Sequence, residues 1–166
     1  MIEQKDVIAF FDERAGEWDA GMVRSDEKIG RILDNAAVCE GSRVLDIACG
    51  TGVLIGDYLR RNVESVTAVD ISPEMVRIAR KKFPQENVRF VCGDAESAPL
   101  GEGFDAIVIY NAFPHFPDPE RLGEPRFQRA HGGRSARRDL RAAPSRDGRY
   151  LDRRNVSGCR RKRIKR

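Results

Sequence analysis

The fold of this chain is decided by the stretch Val44-Leu-Asp-Ile-Ala-Cys-Gly-Thr-Gly52. Apolar residues precede Asp46, and the apolar run Val53-Leu-Ile55 follows the turn. This pattern predicts a buried strand that ends in an acid, a glycine-bearing turn and then a helix. Glycine has no Cβ, so Gly50 and Gly52 let the backbone approach a ligand closely. In an open α/β sheet, ligands bind beyond the carboxyl ends of the strands, where this turn would lie.

The acid in this stretch, Asp46, indicates what kind of ligand the turn would accept. A carboxylate beside a helix N-terminus disfavours a pyrophosphate group at that place, whereas it favours a ligand that carries positive charge. The turn therefore predicts a nucleotide-like ligand with a cationic part.

The sequence on both sides of the turn alternates between helical and strand patterns. Apolar residues at helical spacing predict helices over residues 4–19, 28–38, 53–61 and 73–83, the last with Ser72 as its N-cap and Pro73 in its first turn. Continuous apolar runs predict strands over residues 43–47, 65–69, 88–92 and 105–111. Buried strands that alternate with helices are typical of an α/β fold with a parallel sheet.

Charge divides the chain into two segments near Leu122. Residues 1–122 carry 14 Lys and Arg against 22 Asp and Glu, a balance of −8, whereas residues 123–166 carry 16 against 4, a balance of +12. The second segment has no helical or strand periodicity, and Arg, Gly, Ala and Pro supply 25 of its 44 residues. We therefore predict a domain over residues 1–122 and a basic, disordered tail over residues 123–166.

Composition also bears on compartment and on metals. The N-terminus lacks the apolar stretch of a signal peptide, no run approaches membrane-spanning length, and the four cysteines are dispersed without Cys-x-x-Cys spacing. These features predict a cytoplasmic protein with reduced cysteines and no membrane association. Two histidines and scattered cysteines supply no metal-ligand spacing, so no metal site is predicted.

Acidic residues end three of the predicted strands, namely Asp46, Asp70 and Asp94. Asp70 lies 18 residues after Gly52. This is close to the spacing of about 20 residues at which a carboxylate accepts hydrogen bonds from ribose hydroxyls. Asp94 follows the third strand, where an adenine amino group could donate to it. The acids therefore extend the predicted site from the first strand to the third.

These motifs, taken in order, resemble the class I S-adenosylmethionine-dependent methyltransferases, in the broad group that acts on small molecules. The resemblance covers roughly residues 8–122. Besides the opening stretch, it rests on Ala68-Val-Asp-Ile-Ser72, Val91-Cys-Gly-Asp-Ala95, Phe104-Asp-Ala-Ile-Val108 and Asn111-Ala-Phe-Pro-His-Phe-Pro-Asp118. It implies a Rossmann-like sheet with strand order 3-2-1-4, S-adenosyl-L-methionine as cofactor, and methyl transfer to a small-molecule acceptor.

The resemblance also implies roles for individual residues of the first two strand ends. Asp46, Gly50 and Gly52 would line the methionine part of the cofactor, and Ala48 stands where many relatives have glycine. Asp70 would hold the ribose hydroxyls.

Further roles fall on the other loops. Ile71 would lie against the adenine face, and Asp94 with the Ala95 amide would read the adenine edge. Asn111 would face the sulfonium and methyl region. Trp18 belongs to a segment similar to the family's N-terminal lid helix, although the simplest interpretation of Trp18 and Phe11 is a place in the core.

His115 is the one plausible general base in residues 1–122, where it would lie in the loop after the fourth strand. A surface role is the alternative for a loop histidine. Cys49 sits in the glycine turn, and a small buried role is favoured for it over a nucleophilic one because no charge partner is evident.

The segment after Leu122 departs from the family pattern. The family continues with a fifth strand announced by a Pro-Gly-Gly turn and with two more strands, in the order 3-2-1-4-5-7-6. None of these is recognisable here. A shifted reading frame in GC-rich DNA produces such a composition, so we predict truncation or a frameshift near residue 122. Strand four would then be an exposed edge through which the protein self-associates, and the chain would have little activity.

Two other classes of protein stay open at this point. An NAD(P)-dependent oxidoreductase is an alternative because Gly50-x-Gly52-x-x-x-Gly56 partly matches a dinucleotide fingerprint, although Ile55 stands where the third glycine belongs. A nucleic-acid-binding protein rests on the basic tail alone, for example on Arg160-Arg-Lys-Arg163, and is disfavoured for that reason.

Overall fold

The computed structural model describes residues 3–112 as an α/β domain. The helices are α1 (Gln4–Arg14), α2 (Trp18–Gly21), α3 (Asp26–Asn35), α4 (Ile55–Arg60) and α5 (Pro73–Lys82). The strands are β1 (Arg43–Ile47), β2 (Ser65–Asp70), β3 (Val88–Cys92) and β4 (Ala106–Ile109). They form a parallel sheet with the strand order β3-β2-β1-β4, the order that the sequence predicts.

Two predicted sites lie outside the described residues. They are the loop histidine, His115, and the basic segment over residues 123–166 with its predicted disorder and frameshift. Within residues 3–112, no helix combines the length and the apolar character needed to cross a membrane.

The register of the sheet places three strand ends at one edge. Asp46 of β1 is paired with Ala68 of β2, and Asp70 at the end of β2 is paired with Cys92 at the end of β3. Because parallel strands point the same way, the turn after β1 and the loops after β2 and β3 all emerge at the carboxyl edge. This edge carries the candidate site.

Helices α3, α4 and α5 pack on one face of the sheet. Alternation along β1 directs Val44 and Asp46 to this face, and Leu45 and Ile47 to the other. The helical face contains the larger apolar cluster, built around Leu33, Val44, Ile55, Tyr58, Val66 and Val76. Asp46 is thus a carboxylate directed into the helix-covered side of the domain.

The N-terminal segment differs from its prediction. The single helix expected over residues 4–19 is two helices, because the chain turns at residues 15–17. There the backbone hydrogen bonds span three residues instead of four, as from the Glu17 amide to the Arg14 carbonyl. Neither α1, which contains Phe11, nor α2, which contains Trp18, has a buried residue, so a core position for these two residues is wrong. Both rings are half-buried and meet edge to face at 5.5 Å.

Other helix boundaries follow their capping signals. The Ser72 hydroxyl accepts from the Met75 amide at 3.1 Å, and Pro73 opens α5, as predicted. Helix α3 begins two residues before its predicted start because the Ser25 hydroxyl accepts from the Lys28 amide. Strand β4 is shorter than predicted at both ends.

Candidate functional site

One carboxylate joins the turn after β1 to the loop after β2. Asp70 Oδ2 accepts from the Gly50 amide at 2.7 Å, and Oδ1 accepts from the Ser72 amide at 3.0 Å. Burial raises the pKa of Asp70, and the amides of Ser72, Gly50 and Ile71 oppose that rise. A carboxylate has about four acceptor positions, so Asp70 keeps the capacity to accept from a ligand hydroxyl.

The glycine turn runs through three residues with left-handed backbone. Ala48 has φ +57°, Gly50 has φ +55° and Gly52 has φ +84°. Such values cost a residue with a Cβ about 1–2 kcal/mol, whereas glycine adopts them freely. This is the physical reason why glycine suits position 48, where this chain has alanine.

We predict that Ala48→Gly raises the free energy of unfolding by up to about 1 kcal/mol. Glycine removes the left-handed strain from the folded state, which is stabilising, and adds conformational entropy to the unfolded chain, which is destabilising. The first contribution to the free energy of unfolding is modestly larger than the second. Chemical denaturation followed by circular dichroism measures the effect. Ala36→Gly at the end of α3, where φ is −77°, is the matched control and should be neutral or destabilising. A variant at position 48 that is less stable than wild type would contradict the interpretation.

The two glycines of the turn have different surroundings. A Cβ on Gly50 would have the indole Nε1 of Trp18 as its nearest neighbour, at 3.9 Å. A Cβ on Gly52 would lie 2.9 Å from the ring of Phe83 and 3.2 Å from Ile55. Gly52 therefore has a packing reason to be glycine, and its expected role in close approach of a ligand stays a prediction. Gly52 is needed for packing inside the protein, and Gly50 is the glycine that faces the N-terminal segment.

Asp46 lies in β1, two residues before Ala48 of the turn, and is only 2% exposed. Burial raises its pKa to about 8, the charge of Asp70 adds to the rise, and the Tyr58 hydroxyl that faces it lowers the pKa in part. Among the described residues, neither Asp46 Oδ2 nor the Tyr58 hydroxyl completes a hydrogen bond. A buried carboxylate oxygen without a partner is costly, and a donor or a cation from a ligand would satisfy it.

The raised pKa of Asp46 predicts how stability depends on pH. The folded state holds a proton that the unfolded state releases near pH 4, so ionisation opposes folding. The stability that the protonated Asp46 contributes to the folded state is complete below about pH 4 and is lost as the pH rises to about 8. We expect the free energy of unfolding to fall by up to about 1.4 kcal/mol per pH unit across this window.

Denaturant unfolding at pH 5, 6, 7 and 8 tests this expectation. Asp46→Asn is the matched control, because the amide has nearly the same shape and does not titrate. Its unfolding free energy should vary less with pH than that of the wild type. An equal pH dependence in the two proteins would show that Asp46 ionises normally.

The loop after β3 supplies the third acid. Asp94 is half-buried, and its Oδ1 accepts from the Glu96 amide at 2.8 Å. Its Oδ2 accepts from the Gln4 side chain at 3.3 Å. Ala95 is buried against Leu45 and Leu100 on the other face of the sheet. Asp94 and Ala95, the residues predicted to bind adenine, therefore lie in the loop next to the one that follows Asp70, at the same edge of the sheet.

Sequence reasoning missed the residues that tie the N-terminal segment to these loops. Asp12 Oδ1 accepts from the Ser72 hydroxyl at 2.5 Å and from the Glu74 amide at 3.2 Å. Asp19 Oδ1 accepts from the Thr51 hydroxyl at 2.5 Å. Together with Gln4, these contacts reach all three loops. The sequence gives no local signal for these contacts, because Asp12 and Asp19 lie on two separate helices.

The other predicted positions are dispersed around the same edge. Ile71 is half-buried after β2, and Asn111 is exposed after β4 with φ +54°. Cys49 is buried, and burial raises the pKa of its thiol, as a non-nucleophilic role requires. Among the cysteines of residues 3–112, Cys49 and Cys92 are free thiols.

The arrangement as a whole is acidic and rich in backbone turns. Asp46, Asp70 and Asp94 converge on one edge, where they disfavour phosphate groups and favour hydroxyls, amines and cationic centres. In the described part of the chain, no three potential ligand side chains cluster as a metal site would need. The site can therefore hold a charged, hydroxyl-bearing ligand through carboxylates and amides.

Comparison with known proteins agrees with this geometry. Residues 44–124 match the family model described as a methyltransferase domain. The chain is 34% identical over 121 residues to malonyl-[acyl-carrier protein] O-methyltransferase of Acetivibrio thermocellus, covering 71% of this chain and 43% of that protein. It is 28% identical over 127 residues to ubiquinone biosynthesis O-methyltransferase of Coxiella burnetii, covering 71% and 54%.

A solved structure described as the DhpI–SAH complex superposes with a TM-score of 0.58 at 25% identity, covering 72% of this chain and 58% of that chain. The chain spans about half the length of the curated relatives that it matches. Motif order, strand order and the family match agree over the same part of the chain. That part belongs to the class I S-adenosylmethionine-dependent methyltransferases.

Proposed function

We propose that the protein binds S-adenosyl-L-methionine at the carboxyl edge of the sheet and transfers its methyl group to a small-molecule acceptor. The observation that carries the proposal is the carboxylate pair at this edge. Asp70 joins two of the loops, and Asp46 holds a buried oxygen without a partner among the described residues. A cationic ligand with ribose hydroxyls fits both features, whereas a pyrophosphate fits neither. The relative of known structure whose description includes SAH supports this choice.

The cofactor would be held by groups of different chemistry. Asp46 would release its proton and pair with the cationic part of the cofactor beside the turn that contains Ala48 and Gly50, and Asp70 would accept from the ribose hydroxyls. Trp18, whose indole Nε1 would be 3.9 Å from a Cβ on Gly50, would cover the turn from the N-terminal side.

The remaining residues would contact the adenine and the transferred methyl group. Ile71 would lie against the adenine ring, and Asp94 with the Ala95 amide would bind its edge. Asn111 would face the region of the methyl group. When bound, the cofactor supplies an electrophilic methyl group on a sulfonium.

Positioning is the main contribution expected from the protein. Holding the acceptor nucleophile in line with the carbon–sulfur bond and excluding water can supply about 7–11 kcal/mol of barrier reduction. A base is needed only when the nucleophile must lose a proton, and His115 is the proposed candidate for that step. The named relatives are O-methyltransferases, so we propose an oxygen nucleophile as the acceptor group.

Calorimetric titration tests the proposal directly. The protein is titrated in parallel with S-adenosylhomocysteine and with NADH. Binding of S-adenosylhomocysteine without binding of NADH is the expected result. Binding of NADH alone would favour an oxidoreductase and overturn the proposal.

We also propose, from the sequence, that residues 1–122 form the domain and that residues 123–166 are a separate segment. Resequencing the gene across codon 122 tests the frameshift hypothesis, which fails if neither alternative frame encodes a Pro-Gly-Gly turn. Salt-dependent binding of RNA or DNA that is lost without residues 123–166 would instead give the basic segment a nucleic-acid role. Cytoplasmic localisation stays a prediction that cell fractionation can check.

Self-association through the free edge of β4 is a further proposal. Within residues 3–112, β4 pairs with β1 on one side and with no strand on the other. Its core, Ala106-Ile-Val-Ile109, has no charge or proline to protect such an edge. Analytical ultracentrifugation should show concentration-dependent association, and a monodisperse monomer would contradict it.

A further inference from the structure

Thr51 is the only residue between the two glycines of the turn, and its side chain is wholly buried. A buried hydroxyl needs a hydrogen-bond partner. That partner is Asp19 of α2, whose Oδ1 accepts from Thr51 Oγ1 at 2.5 Å. The turn is therefore held by a residue 32 positions away, in the N-terminal segment and not in the sheet.

The other oxygen of the same carboxylate is held in place by α5. Asp19 Oδ2 accepts from the Lys82 ammonium at 2.7 Å. Burial alone would raise the pKa of Asp19, but the hydrogen bonds from Lys82 and Thr51 and the charge of Lys82 lower it overall. Asp19 is thus kept ionised, and one oxygen remains directed at Thr51.

A second contact fastens the N-terminal segment just beyond the turn. Arg24 donates from Nη1 to the Val53 carbonyl at 2.8 Å and from Nη2 to both carboxylate oxygens of Asp57 at 2.7 and 2.8 Å. The contacts of Asp19 and Arg24 therefore lie on either side of Gly52. Between them lies Gly52, whose backbone as a glycine has the greatest conformational freedom.

We propose that Asp19 is a positioning residue for the cofactor: through the Thr51 hydroxyl it holds the glycine turn in its binding conformation. The inference rests on the proposed function. A turn that contains two left-handed glycines samples other conformations when its anchor is lost. Apparent affinity then falls in proportion to the fraction of molecules that hold the binding conformation.

Calorimetric titration of S-adenosylhomocysteine into the full-length variants tests the inference. Asp19→Ala and Thr51→Val should each weaken binding about tenfold, and the double variant should be no weaker than either single variant. Asp19→Asn keeps an oxygen that can accept from Thr51 but turns an amide donor toward Lys82, so its affinity should lie between those of wild type and Asp19→Ala. Glu13→Ala, an exposed position on α1, is the control and should bind as wild type does.

Fluorescence of Trp18, the single tryptophan of the chain, gives a second readout of the same contact. Its indole lies beside Gly50, and Trp18 precedes Asp19 in the chain. The free Asp19→Ala and Thr51→Val proteins should therefore share a shifted emission, and the shift in Asp19→Asn should be smaller. Wild-type affinity in Asp19→Ala, or losses that add in the double variant, would overturn the inference alone. Failure of the wild-type protein to bind S-adenosylhomocysteine would overturn the proposed function and the inference with it.

Discussion

Replacing Asp70 with alanine is expected to weaken binding of S-adenosylhomocysteine by about 1.5–3 kcal/mol, which is roughly 10- to 150-fold in Kd. Two effects act in the same direction. The ligand loses a charge-assisted hydrogen bond to its ribose, and the amides of Gly50 and Ser72 lose their common acceptor. The turn after β1 and the loop after β2 are then no longer joined by a side chain. Calorimetric titration measures the change in Kd.

The controls for Asp70→Ala separate loss of the ligand contact from loss of the fold. Asp6→Ala removes an exposed acid of α1 and should leave Kd unchanged. Asp70→Asn keeps one acceptor oxygen and should bind between wild type and Asp70→Ala. Circular dichroism establishes that each variant is folded before titration. Unchanged affinity in a folded Asp70→Ala protein would remove Asp70 from the site.

Replacing Gly52 with valine is expected to lower the free energy of unfolding by about 2–5 kcal/mol and to abolish ligand binding. A branched side chain at φ +84° is strained by about 1–2 kcal/mol, and overpacking against Phe83 adds about 1–3 kcal/mol. Because the turn itself must move to relieve the contact, the amide of Gly50 leaves its position on Asp70. Urea denaturation and calorimetric titration measure the two effects.

Position 50 supplies the matched control for position 52. Gly50→Ala and Gly52→Ala carry a similar left-handed penalty, but only the second places a Cβ within 3.0 Å of Phe83. Gly52→Ala should therefore be the less stable of the two by about 1 kcal/mol or more. Equal stabilities would mean that Phe83 moves aside at little cost, and the account of Gly52 as a packing residue would be wrong.

The contact set around the turn explains why these two effects should be the largest. Asp70 holds Gly50 from the side of the sheet, and Asp19 holds Thr51 from the side of the N-terminal segment. Phe83 occupies the space beside Gly52. Each residue of the turn therefore rests on a different element, and Asp70→Ala removes one of these supports together with a contact to the ligand. Substitutions within the turn itself disturb all of them together.

The sequence by itself determined the sheet and the acids at its edge. Strand β1 over Arg43–Ile47 and strand β3 over Val88–Cys92 have the predicted bounds, and the strand order is confirmed. The physical reason is that buried parallel strands are short, continuous apolar runs, which local sequence records directly. An acid that ends such a run must lie at the carboxyl edge, so Asp70 could be placed there without a structure.

Only the tertiary structure decided which groups meet at that edge. The contact of Asp19 with Thr51 and the packing of Phe83 beside Gly52 each join residues more than 30 positions apart. The turn that separates α1 from α2 likewise leaves α1 on the surface, where helical periodicity alone had suggested a core role. Periodicity reports which face of an element is apolar, but not what that face meets. Those choices are made by packing between remote elements, which no local pattern encodes.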